Sequence, residues 1–415
     1  MVSSKTLRGL CLRPFFIIIS ERSNMFIFKK FISDPKNKIV ALILFLSIFF
    51  FFISYQTVGL KMSTKYGLVS STKVNVKSGE KGISELSEYL KGDIKEDEKA
   101  NDEKLLDRMK QQLAVDKEKL EAATKKDYKE FYRLEEKNAL LFLKSIDEEG
   151  EKSPMMGANK DYFSSYITWY NQAKLTHQKF AEIIGANASG FGWLNYLLSA
   201  LGGLFGLILI TVLCGDALGN EFPNGLRFYH LLKKRRSKLQ FDYLFVPIIT
   251  TLIIIVGGLI IPLIIAIIQF GIGDYKFPEF VVNATYTQYA GEILIWKVIY
   301  FVLALLFITS LGQLISQFIK KAYISSAIIV LVLVGYSILE TQKVMQDFIK
   351  WIPLTYLNIT KVIYLSNGDK NWPDTGNYLF GHNSFWIGAL MLLGCTIIFY
   401  STTYFMFSKY TYRKE

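Results

Sequence analysis

The stretch IVALILFLSIFFFFI, residues 39–53, carries no charged side chain and decides the fold class of this chain. The hydrocarbon core of a bilayer is about 30 Å thick, and a helix needs about 20 mainly apolar residues to cross it. Further apolar runs of comparable length follow along the chain. The predicted spans lie near residues 39–57, 193–214, 243–270, 293–319, 322–339 and 383–407, and the fifth is the shortest. The sequence therefore predicts an all-α membrane protein with six transmembrane helices.

A large charged segment, residues 58–192, separates the first predicted span from the second. Residues 93–149 contain neither Gly nor Pro, and good helix formers stand between the charges. Their apolar positions approximate a seven-residue repeat, which is typical of packed helices and also of a long coiled coil. A hairpinned pair of helices gives each apolar seam a partner. We therefore expect a mainly helical extracytoplasmic domain inserted after the first transmembrane helix.

The two ends of this inserted segment have different patterns. Residues 58–80 place Val69, Val74 and Val76 among Ser, Thr and Lys, which favours short extended structure. Residues 161–184 form an amphipathic pattern rich in Tyr, Phe and Trp. We predict that this aromatic face is the core of the domain, with a surface that meets lipid or an apolar substrate as the alternative.

Basic residues cluster beside the predicted spans, within residues 29–38, 227–238, 320–321 and 409–414. With six spans, all these clusters fall on one side of the membrane, which the positive-inside rule identifies as the cytoplasm. Both termini are then cytoplasmic, and residues 58–192 are extracytoplasmic. That segment holds equal numbers of basic and acidic residues, so the net charge of +12 comes from the rest of the chain. Because the basic clusters flank spans, we expect the lipid bilayer and not nucleic acid as their partner.

The sequence lacks the common catalytic and nucleotide-binding signatures. It contains no Gly-x-x-x-x-Gly-Lys-Ser/Thr loop for phosphates, no His-Glu-x-x-His and no Gly-x-Ser-x-Gly. The three histidines are isolated, and the three cysteines do not have metal-ligand spacing. We therefore expect no catalytic residue, no metal site and no cofactor in this chain.

Charged residues are rare inside the predicted spans. Lys297 is the only one, and it lies near one end of its span, where a lysine can snorkel to the interface. The spans thus lack the relay of acidic and basic residues that ion-driven carriers keep at mid-membrane, which disfavours a secondary carrier.

Small and amide side chains provide the polar features of the spans. Gln313, Ser316 and Gln317 share one helix face, and they either join helices through hydrogen bonds or line a translocation path. Gly202 and Gly206 have the Gly-x-x-x-Gly spacing that allows two helices to approach closely.

The predicted cytoplasmic segment after the second span reads GDALGNEFPNGLRFYHLLKKRRSK, residues 215–238. It contains an acidic residue, a turn, a short amphipathic helix with Leu226, Tyr229 and Leu232 on its apolar face, and a basic cluster. A short helix of this kind, lying parallel to the membrane, can dock into a groove on a cytoplasmic partner.

This segment resembles the permease subunits of type-2 ATP-binding cassette (ABC) exporters, which have six spans and both termini inside. The order of residues that follows the second span in that family is matched here by Glu221, Gly225, Leu231, Leu232, Arg236 and Lys238. Leu226 departs from it, because that family often has Thr there, and Lys-Lys-Arg-Arg replaces its usual Pro-x-Ser-Arg. FKKFISDPK, residues 28–36, resembles the interfacial elbow helix, and WIPLTY, residues 351–356, is similar to the short re-entrant region before the last span.

The resemblance covers residues 25–57 and 193–410, and it leaves the large insert unassigned. It implies a cytoplasmic N-terminus with an elbow helix at 1–37, a first transmembrane helix at 38–57, the extracytoplasmic domain at 58–192, and the remaining five spans at 193–415 with a coupling segment at 215–242. Contacts with the ATPase are expected from Glu221, Gly225, Leu226, Tyr229, Leu232 and Arg236.

The expected partners are a separate ABC ATPase subunit, which binds the ATP, and a second permease subunit that is identical or different. The implied function is export of a hydrophobic or amphipathic substrate such as a peptide, an antimicrobial compound or a drug. The alternative is a membrane receptor or signalling protein that transports nothing, whose outer helical domain binds a peptide, a phage or a cell-wall ligand.

Overall fold

A computed structural model describes residues 22–92, 96–149, 160–177, 180, 189–219, 236–280, 288–319, 321–340, 348, 351–363 and 384–409. The helices in these ranges are α1 (Arg22–Ser33), α2 (Pro35–Tyr66), α3 (Leu68–Tyr89), α4 (Glu96–Thr124), α5 (Tyr128–Glu149), α6 (Lys160–Ala173), α7 (Gly190–Leu201), α8 (Leu204–Cys214), α9 (Arg236–Phe270), α10 (Ala290–Ile319), α11 (Ala322–Leu339), α12 (Ile359–Ile363) and α13 (Ser384–Lys409). A 3₁₀ helix occupies Pro353–Leu357. The described residues contain no β-strand, only an isolated antiparallel bridge between Pro278 and Tyr289.

Helices α2, α9, α10 and α13 are long and apolar enough to cross a membrane. The pair α7 and α8 provides a fifth candidate span if its two parts count as one. Helix α11, the predicted fifth span, is shorter, as its sequence indicated. The described residues therefore confirm an all-α membrane protein with four or five candidate spans.

The second predicted span, 193–214, is a pair of helices with a break between them. Helix α7 ends at Leu201, α8 begins at Leu204, and their axes differ in direction by 67°. A Cβ atom on Gly206 would lie 2.2 Å from the carbonyl oxygen of Leu201. Glycine at 206 therefore lets the second helix start directly against the last turn of the first.

The first span continues well beyond its apolar run. Asp34 caps α2 because its Oδ1 accepts a hydrogen bond of 2.9 Å from the Lys36 backbone N–H, and Pro35 begins the helix. The 32 residues of α2 correspond to about 48 Å, which exceeds the hydrocarbon thickness. Helix α3 follows directly after Gly67. The extended structure predicted for 58–80 is therefore wrong, because packing of α3 on α4 outweighs the β preference of its valines.

Helices α4 and α5 form the predicted hairpin. The turn between them includes Lys126 in the left-handed conformation, with φ of 58°. Lys119 of α4 is buried in this hairpin, where its ammonium lies 2.7 Å from the Glu135 carboxylate of α5 and 3.1 Å from the Asp116 carboxylate. Val115 and Ala122 of α4 belong to one buried cluster with Phe131 and Leu134 of α5, so the apolar seams of the two helices pack against each other, as expected for a packed pair.

The aromatic face of α6 is the core of this helical unit, as predicted. Tyr166, Trp169 and Tyr170 are at most 5% exposed and pack with Phe131 and Tyr132 of α5. The same cluster includes Phe277, which belongs to the connection between α9 and α10. The inserted unit is therefore joined to the apolar helices through a second segment of the chain as well as through α2.

Residues 353–363 lie inside the helical bundle. Tyr356, Leu357, Ile359 and Val362 are at most 1% exposed, and their segments contact α7, α10 and α13. This stretch is therefore not a surface loop. Its burial agrees with a segment that folds back among the spans.

Candidate functional site

The predicted ATPase-contact residues Glu221, Gly225, Leu226, Tyr229 and Leu232 lie outside the described residues. Arg236 is the first residue of α9, and only its backbone is described. The geometry that bears on this site is therefore that of the two ends of the undescribed segment, residues 215–219 and 236–243. We call this region the coupling junction.

The first end of the coupling junction is held by an ion pair. Asp216 follows α8, its side chain is fully buried, and its carboxylate accepts a hydrogen bond from the ammonium of Lys36 at the start of α2. The same ammonium donates to the carbonyl of Val212 over 2.6 Å. Burial raises the pKa of the Asp216 carboxyl above its ordinary value, and the Lys36 charge opposes this effect.

An apolar cluster joins the two ends of the coupling junction. Leu218, from the first end, packs with Leu239 and Tyr243, from the second end, and with Ile27 of α1. All four side chains are at most 3% exposed. Helix α1, the predicted elbow, therefore lies against both ends of the coupling junction.

The Gln313 face lies directly beside the coupling junction. Gln313 and Ser316 are at most 1% exposed and Gln317 is 8% exposed. The Nε2 of Gln313 donates a long hydrogen bond of 3.4 Å to the carbonyl of Gln240 at the second end. The Nε2 of Gln240 in turn donates to the carbonyl of Tyr400 in α13 over 2.9 Å.

Helix α10 also touches the first end of the junction. A Cβ atom on Gly312 would lie 2.3 Å from the carbonyl oxygen of Gly215. One turn of α10 therefore contacts both Gly215 and Gln240. The structure thus places the two described ends of the predicted coupling segment against the polar face of the fourth predicted span.

The two glycines of the Gly-x-x-x-Gly pattern have different roles. A Cβ on Gly202 would lie 2.7 Å from the Cδ1 of Ile359, so Gly202 allows the buried segment before α13 to approach closely. Gly206 allows contact within the broken helix pair itself. Close approach is thus observed at Gly202, and its partner is the short helix α12 and not a long apolar helix.

A buried polar site at the opposite end of α10 was missed from the sequence. Lys297 is fully buried and donates to the carbonyl of Asn195 over 3.0 Å and to the Oγ of Ser199 over 2.8 Å. The predicted snorkelling of Lys297 to the interface is therefore wrong. The only signal in the sequence was the isolation of this one charge within an apolar run.

Glu279, in the connection before α10, lies within the electrostatic influence of Lys297. Burial raises the pKa of the Glu279 carboxyl to about 7, and the positive charge of Lys297 opposes that rise. Gln313 is 16 residues beyond Lys297, or about 24 Å along the helix. The two buried polar sites of α10 therefore occupy different ends of the bundle and do not form a continuous relay among the described residues.

The described residues therefore form an all-α membrane protein with long apolar helices, a broken helix pair and a helical unit, α3 to α6, that packs through Phe277 on the connection between α9 and α10. No group of three or more His, Cys, Asp or Glu side chains suited to a metal ion occurs in the described part of the chain. Comparisons with protein-family models, with curated proteins and with solved structures find no match to this chain.

Proposed function

We propose that this chain is the membrane-spanning permease subunit of an ABC exporter, driven by ATP that a separate subunit binds and hydrolyses. The observation that carries the proposal is the contact of a single turn of α10 with both ends of the coupling junction, through Gly312 on Gly215 and Gln313 on Gln240. A push on residues 220–235 would be transmitted to α10 through these two contacts.

The order of features along the chain supports this proposal. A short amphipathic helix, α1, precedes the first span, and a segment with Glu221, Gly225, Leu231 and Leu232 follows the broken second span. A buried short segment precedes the last span. We propose six spans in which α11, with 18 residues and about 27 Å, is the fifth. Both termini would then be cytoplasmic, and residues 58–192 would be extracytoplasmic.

The proposed mechanism follows from the contacts of the coupling junction. Closure of the ATPase dimer would displace the amphipathic helix that contains Leu226, Tyr229 and Leu232. Because Lys36, Asp216 and α1 tie the junction to the first span, that span and α10 would tilt together. Tilting against a second permease subunit would open a path for cargo. The permease itself needs no cofactor in this scheme.

The proposed cargo is hydrophobic or amphipathic, such as a peptide, an antimicrobial compound or a lipophilic drug. The candidate spans present many exposed apolar side chains, which suits a lateral route from the bilayer. The helical insert is tied to the bundle by α2 and by Phe277, so it would move with the spans during transport.

The test begins with purification of the full-length chain from its native membrane, with identification of the proteins that accompany it. We expect an ABC ATPase among them. Glu221→Ala, or deletion of 222–232, should abolish its co-purification and abolish export while membrane insertion is retained. Lys117→Cys, an exposed substitution in α4, is the matched control and should leave both unchanged. Unchanged co-purification and export in the Glu221→Ala and deletion variants would refute the coupling role.

The proposed sidedness has its own test. In a background without the native cysteines, a thiol at Lys117→Cys should react with a membrane-impermeant reagent applied to whole cells. A thiol at His230→Cys should react only after the membrane is opened. The reverse labelling would overturn the orientation while leaving the membrane assignment intact.

A further inference from the structure

Four buried amide and hydroxyl side chains lie together where α10 touches the coupling junction. They are Gln313, Ser316 and Gln317 of α10 and Gln240 of α9, and we call them the junction polar cluster. All four are at most 8% exposed. Gln313 reaches the backbone of Gln240 directly, and Ser316 and Gln317 follow one turn further along the same face of α10. The cluster therefore concentrates buried polar groups at one end of an otherwise apolar helix.

Each member of the junction polar cluster has a polar atom without a hydrogen bond. The Oε1 atoms of Gln240 and Gln313, the Oγ of Ser316 and the Nε2 of Gln317 find no partner in the described part of the chain. The Nε2 atoms of Gln240 and Gln313 both donate to backbone carbonyls, so the oxygen of each amide is the atom left over. The bond from Gln313 to the Gln240 carbonyl is 3.4 Å long, beyond the usual range for such bonds. Direct hydrogen bonds therefore join α10 to α9 only weakly at this face.

Ser316 differs from the other buried hydroxyl groups of the long apolar helices. Such a hydroxyl ordinarily donates to a carbonyl one turn back in its own helix. This bond is present in α2, α9, α10 and α13, at Ser47, Thr250, Thr251, Thr309, Ser310, Thr396 and Thr403. Ser316 is fully buried and does not make it. Its hydroxyl is therefore left for a group outside its own helix.

Water accounts for these unbonded atoms. A buried polar group without a partner is costly, and buried water bonds to two to four polar groups that otherwise lack one. The cluster offers a donor in Gln317, two amide oxygens as acceptors, and in Ser316 a hydroxyl that does both. Gln317 is 8% exposed and lies two residues before Ile319, the last residue of α10. Water therefore has a short route to the cluster from the end of the helix.

The junction polar cluster carries no charge of its own. The nearest buried charges along the junction are those of Lys36 and Asp216, and they compensate each other in an ion pair. Neutral donors and acceptors side by side complement an amide group, which has one of each kind. An ion would exchange its hydration shell for uncharged groups in a buried site, which is unfavourable.

We propose that the junction polar cluster lines a water-filled recess that admits uncharged polar groups, such as an amide, and excludes ions. The polar face of α10 is then a solvated surface and not a set of hydrogen bonds that hold helices together. Water in place of direct bonds leaves α10 free to shift relative to α9. The recess holds whether or not an ATPase partners the chain, so its failure and the failure of the proposed function are separate outcomes.

The first test measures how fast a thiol in the recess reacts with iodoacetamide, a small uncharged amide. The full-length chain without its native cysteines carries Ser316→Cys in phospholipid nanodiscs, and mass spectrometry follows the alkylation. The matched control is Ser310→Cys, because Ser310 is a fully buried serine of the same helix whose hydroxyl donates to the Phe307 carbonyl. A thiol reacts as its thiolate, which forms in water and is suppressed in apolar surroundings. We expect Ser316→Cys to react at least about tenfold faster than Ser310→Cys.

The second test replaces iodoacetamide by iodoacetate, which has a similar size and a negative charge. Lys117→Cys, an exposed position in α4, gives the ratio of the two rates for a thiol in open water. We expect the ratio of the iodoacetamide rate to the iodoacetate rate to be at least about tenfold higher at Ser316→Cys, because a buried charge is costly. Thermal unfolding confirms that each variant is folded, and Gln317→Cys replaces Ser316→Cys if that variant does not fold.

Three results would overturn the proposal. Equally slow alkylation of Ser316→Cys and Ser310→Cys would show that the cluster is dry. Equally fast alkylation of both would show that the whole helix bundle opens and that no local recess exists. The same rate ratio at Ser316→Cys and Lys117→Cys would show that the site does not distinguish an amide from an ion.

Discussion

The ammonium of Lys36 binds the buried carboxylate of Asp216, although the two residues are 180 positions apart in the sequence. The contact joins the start of the first span to the end of the broken helix pair. It also anchors the coupling junction on its first side, because Leu218 and the undescribed segment follow immediately. Mutations at this pair therefore test the mechanical link in the proposed function.

We expect Asp216→Asn to lower the free energy of unfolding by about 3 kcal/mol, because the Lys36 ammonium then lacks its counter-charge in a mostly buried site. The double variant Lys36→Met/Asp216→Asn should be more stable than the sum of the single effects predicts, since no unpaired charge remains. Thermal unfolding of the four proteins in one detergent provides the measurement. Lys81→Met, which removes an exposed ion pair with Glu85, is the control and should cost well under 1 kcal/mol. Strictly additive effects of the two substitutions would show that the pair does not interact.

Gly312→Ala should destabilise the fold by about 1–3 kcal/mol, because its Cβ would meet the backbone of Gly215 at 2.3 Å and cannot be relieved by a side-chain movement. It should also weaken export more than it weakens insertion. Gly335→Ala in α11 is the matched control, since no atom lies within 4 Å of the added Cβ. Ala is the better helix former, so this control should be neutral or slightly stabilising. If the two variants were equally stable, the close contact between Gly312 of α10 and Gly215 would be contradicted.

The hydrogen bond from Trp169 Nε1 to the Pro278 carbonyl, 2.9 Å long, ties the helical insert to the connection between α9 and α10. Trp169→Phe should cost about 1 kcal/mol, since it removes the donor and keeps most of the ring. Trp169→Ala should cost about 3–5 kcal/mol, because it also opens a cavity in the aromatic core. Hydrogen exchange near residues 277–280 should rise in both variants. Unchanged exchange there would mean that the insert and the bundle are not coupled through Trp169.

Glu279 makes the stability of the outer connection depend on pH. Its folded-state pKa of about 7 lies above the usual carboxyl value of about 4.5, so the protonated form is favoured in the folded protein. The stabilisation is complete below about pH 4.5 and is lost as the pH rises through about 7, up to about 3 kcal/mol if the full difference is realised. Thermal unfolding between pH 5 and 8 should show this decline in the wild type and a flatter profile in Glu279→Gln.

The control for Glu279 is Glu292→Gln, a substitution of an exposed carboxylate at the start of α10. It should keep the wild-type profile. A decline of the same size in Glu279→Gln would assign the pH dependence to another group.

Apolar run length predicted the long apolar helices α2, α9, α10 and α13, because lipid leaves the backbone no partner outside the helix and selects long uncharged stretches. The helical hairpin of the insert and the aromatic core around Trp169 were also predictable, since their side-chain periodicity reports a buried face. The prediction of extended structure failed at residues 58–80. There the β preference of the valines is weaker than the packing of helix α3 on helix α4.

The break at Gly202 and Gly203 had no signature that distinguished it from an ordinary Gly-x-x-x-Gly face. Lys297 was misplaced for a related reason. In the sequence, a single lysine near the end of a predicted span is equally consistent with snorkelling to the interface and with burial. The partners that bury Lys297, Asn195 and Ser199, belong to another helix.

The sequence by itself determined that this is an all-α membrane protein with charged helices between its first two apolar stretches, because hydrophobic length and periodicity are local properties. Only the tertiary structure decided that Lys36 meets Asp216, that one turn of α10 touches both Gly215 and Gln240, and that Lys297 is buried. Those pairings depend on how separate helices pack against one another, and close packing is set by the shapes of distant side chains and not by any local pattern.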